Sequence, residues 1–270
     1  MTTLLTEALI LRNVDFGESD RILHLLTPET GRITVIAKGA RRSKKRFPGT
    51  LDLFNHLDVQ IERRRPTSMA RLEAARLRAT LHEIRTDPRR FALGCYLLEL
   101  LDRLAPEGGA RLDHRRLFDF ALGVLRLIDL QAPDLRMRVL LEIRALDALG
   151  IGPELSLCVR CGEALADEPA GAIHFHVAEG GPCCRRCIPE DPQLLPVHRG
   201  TLRALERSRA LAPEQLGRLA LGGGALDEAR ALVTRFLRFH VGLDLRSVAF
   251  LDQQWTAPDA SRSMAGQDRP

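Results

Sequence analysis

Apolar positions along the first 65 residues come in short bursts. Ala8–Leu11, Ile22–Leu26 and Ile33–Ile36 are bounded by turn residues at Asp15–Gly17 and Pro28–Gly31, and Leu57-Asp58-Val59-Gln60-Ile61 alternates strictly. Such runs predict short strands, the last half-buried. Met69–Leu81 fits either a fifth strand or a first helix. Four or five short strands in so small a span predict an OB-type β-barrel over residues 1–82.

The period then changes from two to about 3.6. Asp87-Pro88 reads as an N-cap followed by proline at the first helical position. Leu93, Leu97, Leu100, Leu101 and Leu104 then form a helical stripe ending before Pro106. Leu117, Ala121, Leu125 and Ile128 mark a second helix. A third runs through Leu135, Val139, Ile143, Leu146 and Leu149, with Gly150 at its C-cap. Helical patterning returns after a cysteine-rich stretch, with Leu232, Phe236 and Phe239 as a stripe. The predicted architecture is therefore α+β and multidomain: an N-terminal OB-fold barrel, an α-helical domain over 83–152 and 193–252, a four-cysteine insert at 153–192, and a disordered polar tail over 253–270.

Composition changes this picture little: 45% of the 270 residues are hydrophobic, enough for a sizeable core. Neither a signal-peptide pattern nor an apolar run of bilayer length is present, so a soluble cytoplasmic protein without membrane contact is expected. Charge changes the picture more. Residues 1–84 hold 15 basic and 10 acidic side chains, whereas 85–270 hold 25 of each. The whole net charge of +5 thus belongs to the predicted barrel.

Much of it lies in "KGARRSKKR", where Lys38, Arg41, Arg42, Lys44, Lys45 and Arg46 carry six positive charges with no acid between them. A basic run alone fits a solvated face or a localisation address as well as a polyanion site. Its place between two strands mounts this one on the barrel. Six neighbouring cations repel one another unless a polyanion such as a nucleic-acid backbone neutralises them. Arg63, Arg64 and Arg65 extend the expected patch. Before residue 85 the aromatics are Phe16, Phe47 and Phe54, apart from histidines. Phe54 is expected in the core, and Phe47, beside the basic run, is the expected stacking residue. So few aromatics predict a reader of backbone with little sequence discrimination, tolerant of single and double strands.

The cysteines supply the second candidate site. Cys158-x2-Cys161 and Cys184-x2-Cys187 are two knuckles separated by 22 residues, slightly beyond the usual spacer; a hairpin through Ala172–Val177 accommodates the excess. Four thiolates around Zn2+ leave no position for an activated water, so the metal is expected to be structural. Cys183 competes with Cys184 for its place, and His174 or His176 as a ligand would open the site. Paired disulfides require an oxidising compartment. A zinc hydrolase lacks any HExxH-type spacing or paired acid–base residues, and no GxxxxGK[ST] phosphate loop is present. The expectation is a protein without catalytic residues.

Taken together, these residues resemble the RecO family of bacterial DNA repair proteins. The resemblance rests on Gly17-Glu18-Ser19-Asp20, "TPETG", the basic loop, the "LDLF" turn, the paired knuckles, and "RFLRFHVGLDLRSVAFL" near the C-terminus, and spans about residues 5–251. It implies binding of single- and double-stranded DNA, ATP-free annealing of complementary strands, and recombination mediation. The implied partners are RecR, the acidic C-terminal tail of single-strand-binding protein, and indirectly RecA, in the cytoplasm near the nucleoid. Lys38, Arg41 and Arg42 match the family's basic positions, and Lys44–Arg46 continue them. Some members lack the four cysteines, which implies that the metal is not required for the shared activity. A competing expectation is a zinc-stabilised adaptor that bridges protein partners, with DNA contact secondary.

Overall fold

The computed structural model describes residues 2–43, 46–65, 67–108, 113–165, 172–190, 194–212, 215–216, 219, 221–242 and 245–256. Five strands, β1 (Thr2–Phe16), β2 (Asp20–Thr27), β3 (Gly31–Ala37), β4 (Asn55–Arg63) and β5 (Ala70–Thr80), close into a barrel in the order β1-β2-β3-β5-β4. Every pairing is antiparallel except the short β3–β5 closure, Val35↔Ala70 and Ile36↔Arg71. This is the expected OB arrangement.

β1 is far longer than its apolar run. Its first half pairs with β4 and its second with β2, and a register shift between Ile10 and Arg12 turns it from one neighbour to the other. β5 is a strand despite a composition rich in helix formers. Antiparallel pairing with β4 along most of its length overrides local preference. Ala8, Ile10, Leu23, Leu25, Val35, Leu57 and Leu72 fill the barrel interior.

After a single turn, α1 (Glu83–Thr86), come α2 (Pro88–Leu104), α3 (His114–Leu130) and α4 (Leu135–Ala148). Each of α2, α3 and α4 starts on an aspartate whose carboxylate accepts a backbone N–H: Asp87 from Arg90, Asp113 from Arg116, Asp134 from Met137. Gly150, at φ +71°, ends α4, where the Ile151 N–H donates to the Leu146 carbonyl at 2.9 Å in a Schellman arrangement. A three-stranded sheet follows, with β6 (Ala172–His176) between β7 (Gly181–Cys183) and β8 (Leu194–His198). The β6–β7 hairpin lies where expected, but β8 carries the sheet past residue 192. Then come α5 (Arg199–Ala210), α6 (Gly224–Val241) and α7 (Arg246–Thr256).

Two expectations change here. Phe239 is half exposed, and the buried face of α6 is Ala229, Leu232, Val233 and Phe236, because the stripe drifts off the contact with α4 and α5 at the helix end. Residues 253–256 belong to α7, so the expected tail is helical there; 257–270 lie outside the described residues. No helix among the described residues is long and apolar enough to cross a membrane.

One core joins the outside of the barrel (Leu9, Leu11, Leu26, Phe54) to α2, α3, part of α4 and Leu251 of α7. Polar locks reinforce it: His24 Nδ1 lies 2.5 Å from Asp102, and Arg32 donates to the Ala105 carbonyl at 2.9 Å. A second core joins α4, α5 and α6 to the cysteine module.

Candidate nucleic-acid interface and metal centre

The basic loop leaves the barrel where β3 ends, beside the turn linking β1 to β2. Antiparallel registry around the 28–30 turn brings Asp20 opposite Lys38. The Asp20 carboxylate accepts from the Lys38 ammonium at 2.6 Å and from the Gly39 N–H at 2.8 Å. The Gly39 N–H first, and the lysine second, hold this carboxyl below its ordinary range. Gly17 and Gly39 both sit at positive φ, which lets the two turns fold against each other.

The remaining described cations of the loop are also paired. Arg41 lies 3.3 Å from Asp15 and donates to the Gly17 carbonyl, Arg42 lies 3.3 Å from Glu18, and Arg46 lies 3.5 Å from Glu73 and donates to its carbonyl at 2.9 Å. The expectation of mutual repulsion is therefore corrected: the Gly17–Asp20 element and Glu73 supply counter-charges. Lys44 and Lys45 lie outside the described residues. Exposed pairs of this kind contribute about 0–1 kcal/mol each.

Arg63, Arg64 and Arg65 do not join this cluster. With Thr2, Thr30 and Arg32 they line an opening where β3 begins, about 20 Å of strand from Lys38. The stacking expectation at Phe47 is also corrected. Phe47 is 4% exposed in the barrel core, under the Arg46 guanidinium, and Phe54 is buried as expected. Phe16, passed over in the sequence, is 51% exposed.

In the cysteine module, the sulfurs of Cys158, Cys161, Cys184 and Cys187 all lie within 4.8 Å of one another. Each knuckle is a tight turn: the Gly162 N–H donates to the Cys158 carbonyl at 2.8 Å and the Cys187 N–H to the Cys184 carbonyl at 2.9 Å. Glu154, which sequence reasoning missed, accepts from the N–H groups of Leu155, Ser156 and Leu157 and fixes the approach to the first knuckle. Gly181 lets the two halves meet, since a Cβ there would lie 2.3 Å from Val159.

The donor set fits a tetrahedral metal. Zinc–sulfur bonds of about 2.3 Å imply sulfur–sulfur edges of about 3.8 Å, and Cys161 and Cys184 are 3.7 Å apart. Burial pushes the Cys158 thiol up, but N–H groups from Cys184, Cys161 and Arg160 outweigh it and bring the thiol down to about 6. Cys184, not Cys183, joins the cluster; Cys183 pairs with His174 across the β6–β7 hairpin. His176 accepts from the Glu179 N–H. Neither histidine belongs to the sulfur cluster.

These features define a class: an OB-type barrel fused to a helical region that encloses a four-cysteine site suited to a metal. Family models for the N-terminal part of recombination protein O match residues 1–81, and for its C-terminal part residues 85–249. The DNA repair protein RecO of Anaeromyxobacter dehalogenans strain 2CP-C is 34% identical over 244 residues, 90% of this chain and 94% of the relative. That of Syntrophus aciditrophicus strain SB is 31% identical over 92% and 95% of the two chains, and that of Bacillus subtilis strain 168 is 28% identical over 92% and 93%. The chain belongs to the recombination protein O (RecO) family. Membership carries a role in DNA repair and recombination.

Proposed function

We propose that this protein is a recombination mediator that holds DNA by its phosphates through the loop at 38–46 and anneals complementary strands without ATP. Neutralising one strand lowers the repulsion met by the second, and base pairing then supplies the specificity. The observation that carries the reading is the placement of the loop: Lys38, Arg41, Arg42 and Arg46, four of its six cations, are held on the barrel by exposed ion pairs that a phosphate can displace. Arg63, Arg64 and Arg65 form a separate basic group at the other end of β3, available to a second stretch of backbone.

The division of labour in this proposal assigns DNA to residues 1–82 and protein partners to the helical segments 83–152 and 193–252. RecR, the acidic tail of single-strand-binding protein, and RecA acting downstream are those partners, in a cytoplasmic, nucleoid-associated setting. Cys158, Cys161, Cys184 and Cys187 hold structural Zn2+, which stiffens the 153–192 module and leaves DNA chemistry to the barrel. Carboxylates already paired with Lys38, Arg41, Arg42 and Arg46 favour a second reading, an adaptor whose DNA contact is secondary.

Titration of single-strand binding against salt separates the two. Four to six phosphate contacts give a log–log slope of about −3 to −4. Joint replacement of Lys44→Ala and Lys45→Ala is expected to make it shallower by about 1.4. An unchanged slope removes these lysines from the interface and favours the adaptor.

A further inference from the structure

The outer face of β1–β2–β3 is covered along only part of its length. Leu9, Leu11 and Leu26 lie under the helices, and His24 and Arg32 are tied to Asp102 and Ala105. Beyond them the face is open. Cross-strand registry lines up Val14, Ile22 and Ile36 in one row, and Phe16, Asp20 and Lys38 in the next. Cross-strand partners project to the same face, and the alternate residues Leu23 and Val35 point into the barrel core. Ile22 and Ile36 are half-buried, Val14 is 38% exposed and Phe16 is 51% exposed.

Phe16 stands out on two counts. It is the one phenylalanine of residues 1–82 that is not buried, and it sits at the β1–β2 turn, where OB-folds engage oligonucleotides. Its row ends at Lys38, and the turn after it holds Arg41 and Arg42. An apolar strip edged by the most cationic loop of the chain complements a strand whose bases are free and whose backbone is anionic. A duplex, with its bases stacked inside, offers the strip nothing.

Resting on the interface proposed above, we propose that this strip takes the unpaired bases of single-stranded nucleic acid, with Val14, Ile22 and Ile36 as its floor and Phe16 as the stacking residue. The loop then holds any backbone, while Phe16 discriminates single strands from duplex.

The test compares a thymidine oligonucleotide, an abasic strand of equal length and a duplex on the full chain. Phe16→Ala is expected to weaken thymidine-strand binding about 5- to 150-fold, the range for losing a stacking aromatic. Abasic and duplex binding, and the salt slope, should stay unchanged. Phe16→Trp should restore affinity, and its added indole fluorescence over the native Trp255 signal should be quenched by the thymidine strand and not by the abasic one. Equal losses on all three ligands, no loss on any, or an unquenched indole overturns the proposal and leaves the strip to a protein partner. Salt-insensitive binding of every strand by the unmodified protein would instead overturn the phosphate interface itself.

Discussion

Arg138→Ala is expected to lower stability by about 3 kcal/mol, or roughly 6–12 °C in Tm. Glu142 is 3% exposed and sits between Arg138, whose Nε donates at 3.1 Å, and Tyr96, whose hydroxyl donates at 2.6 Å. Burial pushes the Glu142 carboxyl up, and the guanidinium opposes it. The same arginine reaches Asp252 at 2.6 Å and lies over the Tyr96 ring, so it ties α7 to α2 and α4. Removing it strands a carboxylate in the core and loosens the C-terminal helix. Pairing Arg138→Met with Glu142→Gln should recover much of the loss, because an apolar side chain then faces a neutral one. Thermal denaturation of the single and double variants measures both effects; equal destabilisation would show that the ion pair is not the source.

Loss of a cysteine from the four-sulfur cluster is expected to be the larger lesion. Cys158 and Cys184 are nearly fully buried in the core that α4, α5 and α6 share with the β6–β8 sheet. Structural zinc contributes about 10–16 kcal/mol in small isolated domains, which bounds the effect here from above. Cys184→Ser should abolish stoichiometric metal by elemental analysis and lower Tm by more than Arg138→Ala does. Cys183→Ser should retain one metal per chain. The proposed strand binding at the barrel should survive metal loss, since the buried cysteines pack in the core of α4, α5 and α6 and the barrel interior is a separate core. Metal retained in the Cys184→Ser protein and lost from the Cys183→Ser protein would reverse the ligand assignment.

How much was legible in the sequence depended on whether a signal was local. Asp87-Pro88, the leucine stripe of α2 and the paired knuckles each write their geometry within a few neighbouring residues, and all appear as expected. β8 has only five residues and a proline, so its pairing with β6 left no periodic trace. The roles of Phe16 and Phe47 turned on which loop aromatic the barrel interior would absorb, a question of tertiary packing. The carboxylates that pair with the basic loop lie some 20 residues upstream of it and 30 downstream. Their signal was nonetheless present, since counting outward from the turn at 28–30 sets Asp20 against Lys38.

The central claim is that cations on this barrel bring two strands together. Its most direct test is ATP-free annealing of complementary oligonucleotides coated with single-strand-binding protein, followed across a salt series. The account predicts annealing at low salt that fades steeply as salt rises, and its loss when Lys38, Arg41, Arg42, Lys44, Lys45 and Arg46 are reversed in charge in a chain that still folds. Failure of the unmodified protein to anneal at low salt, or undiminished annealing by the charge-reversed one, would contradict it.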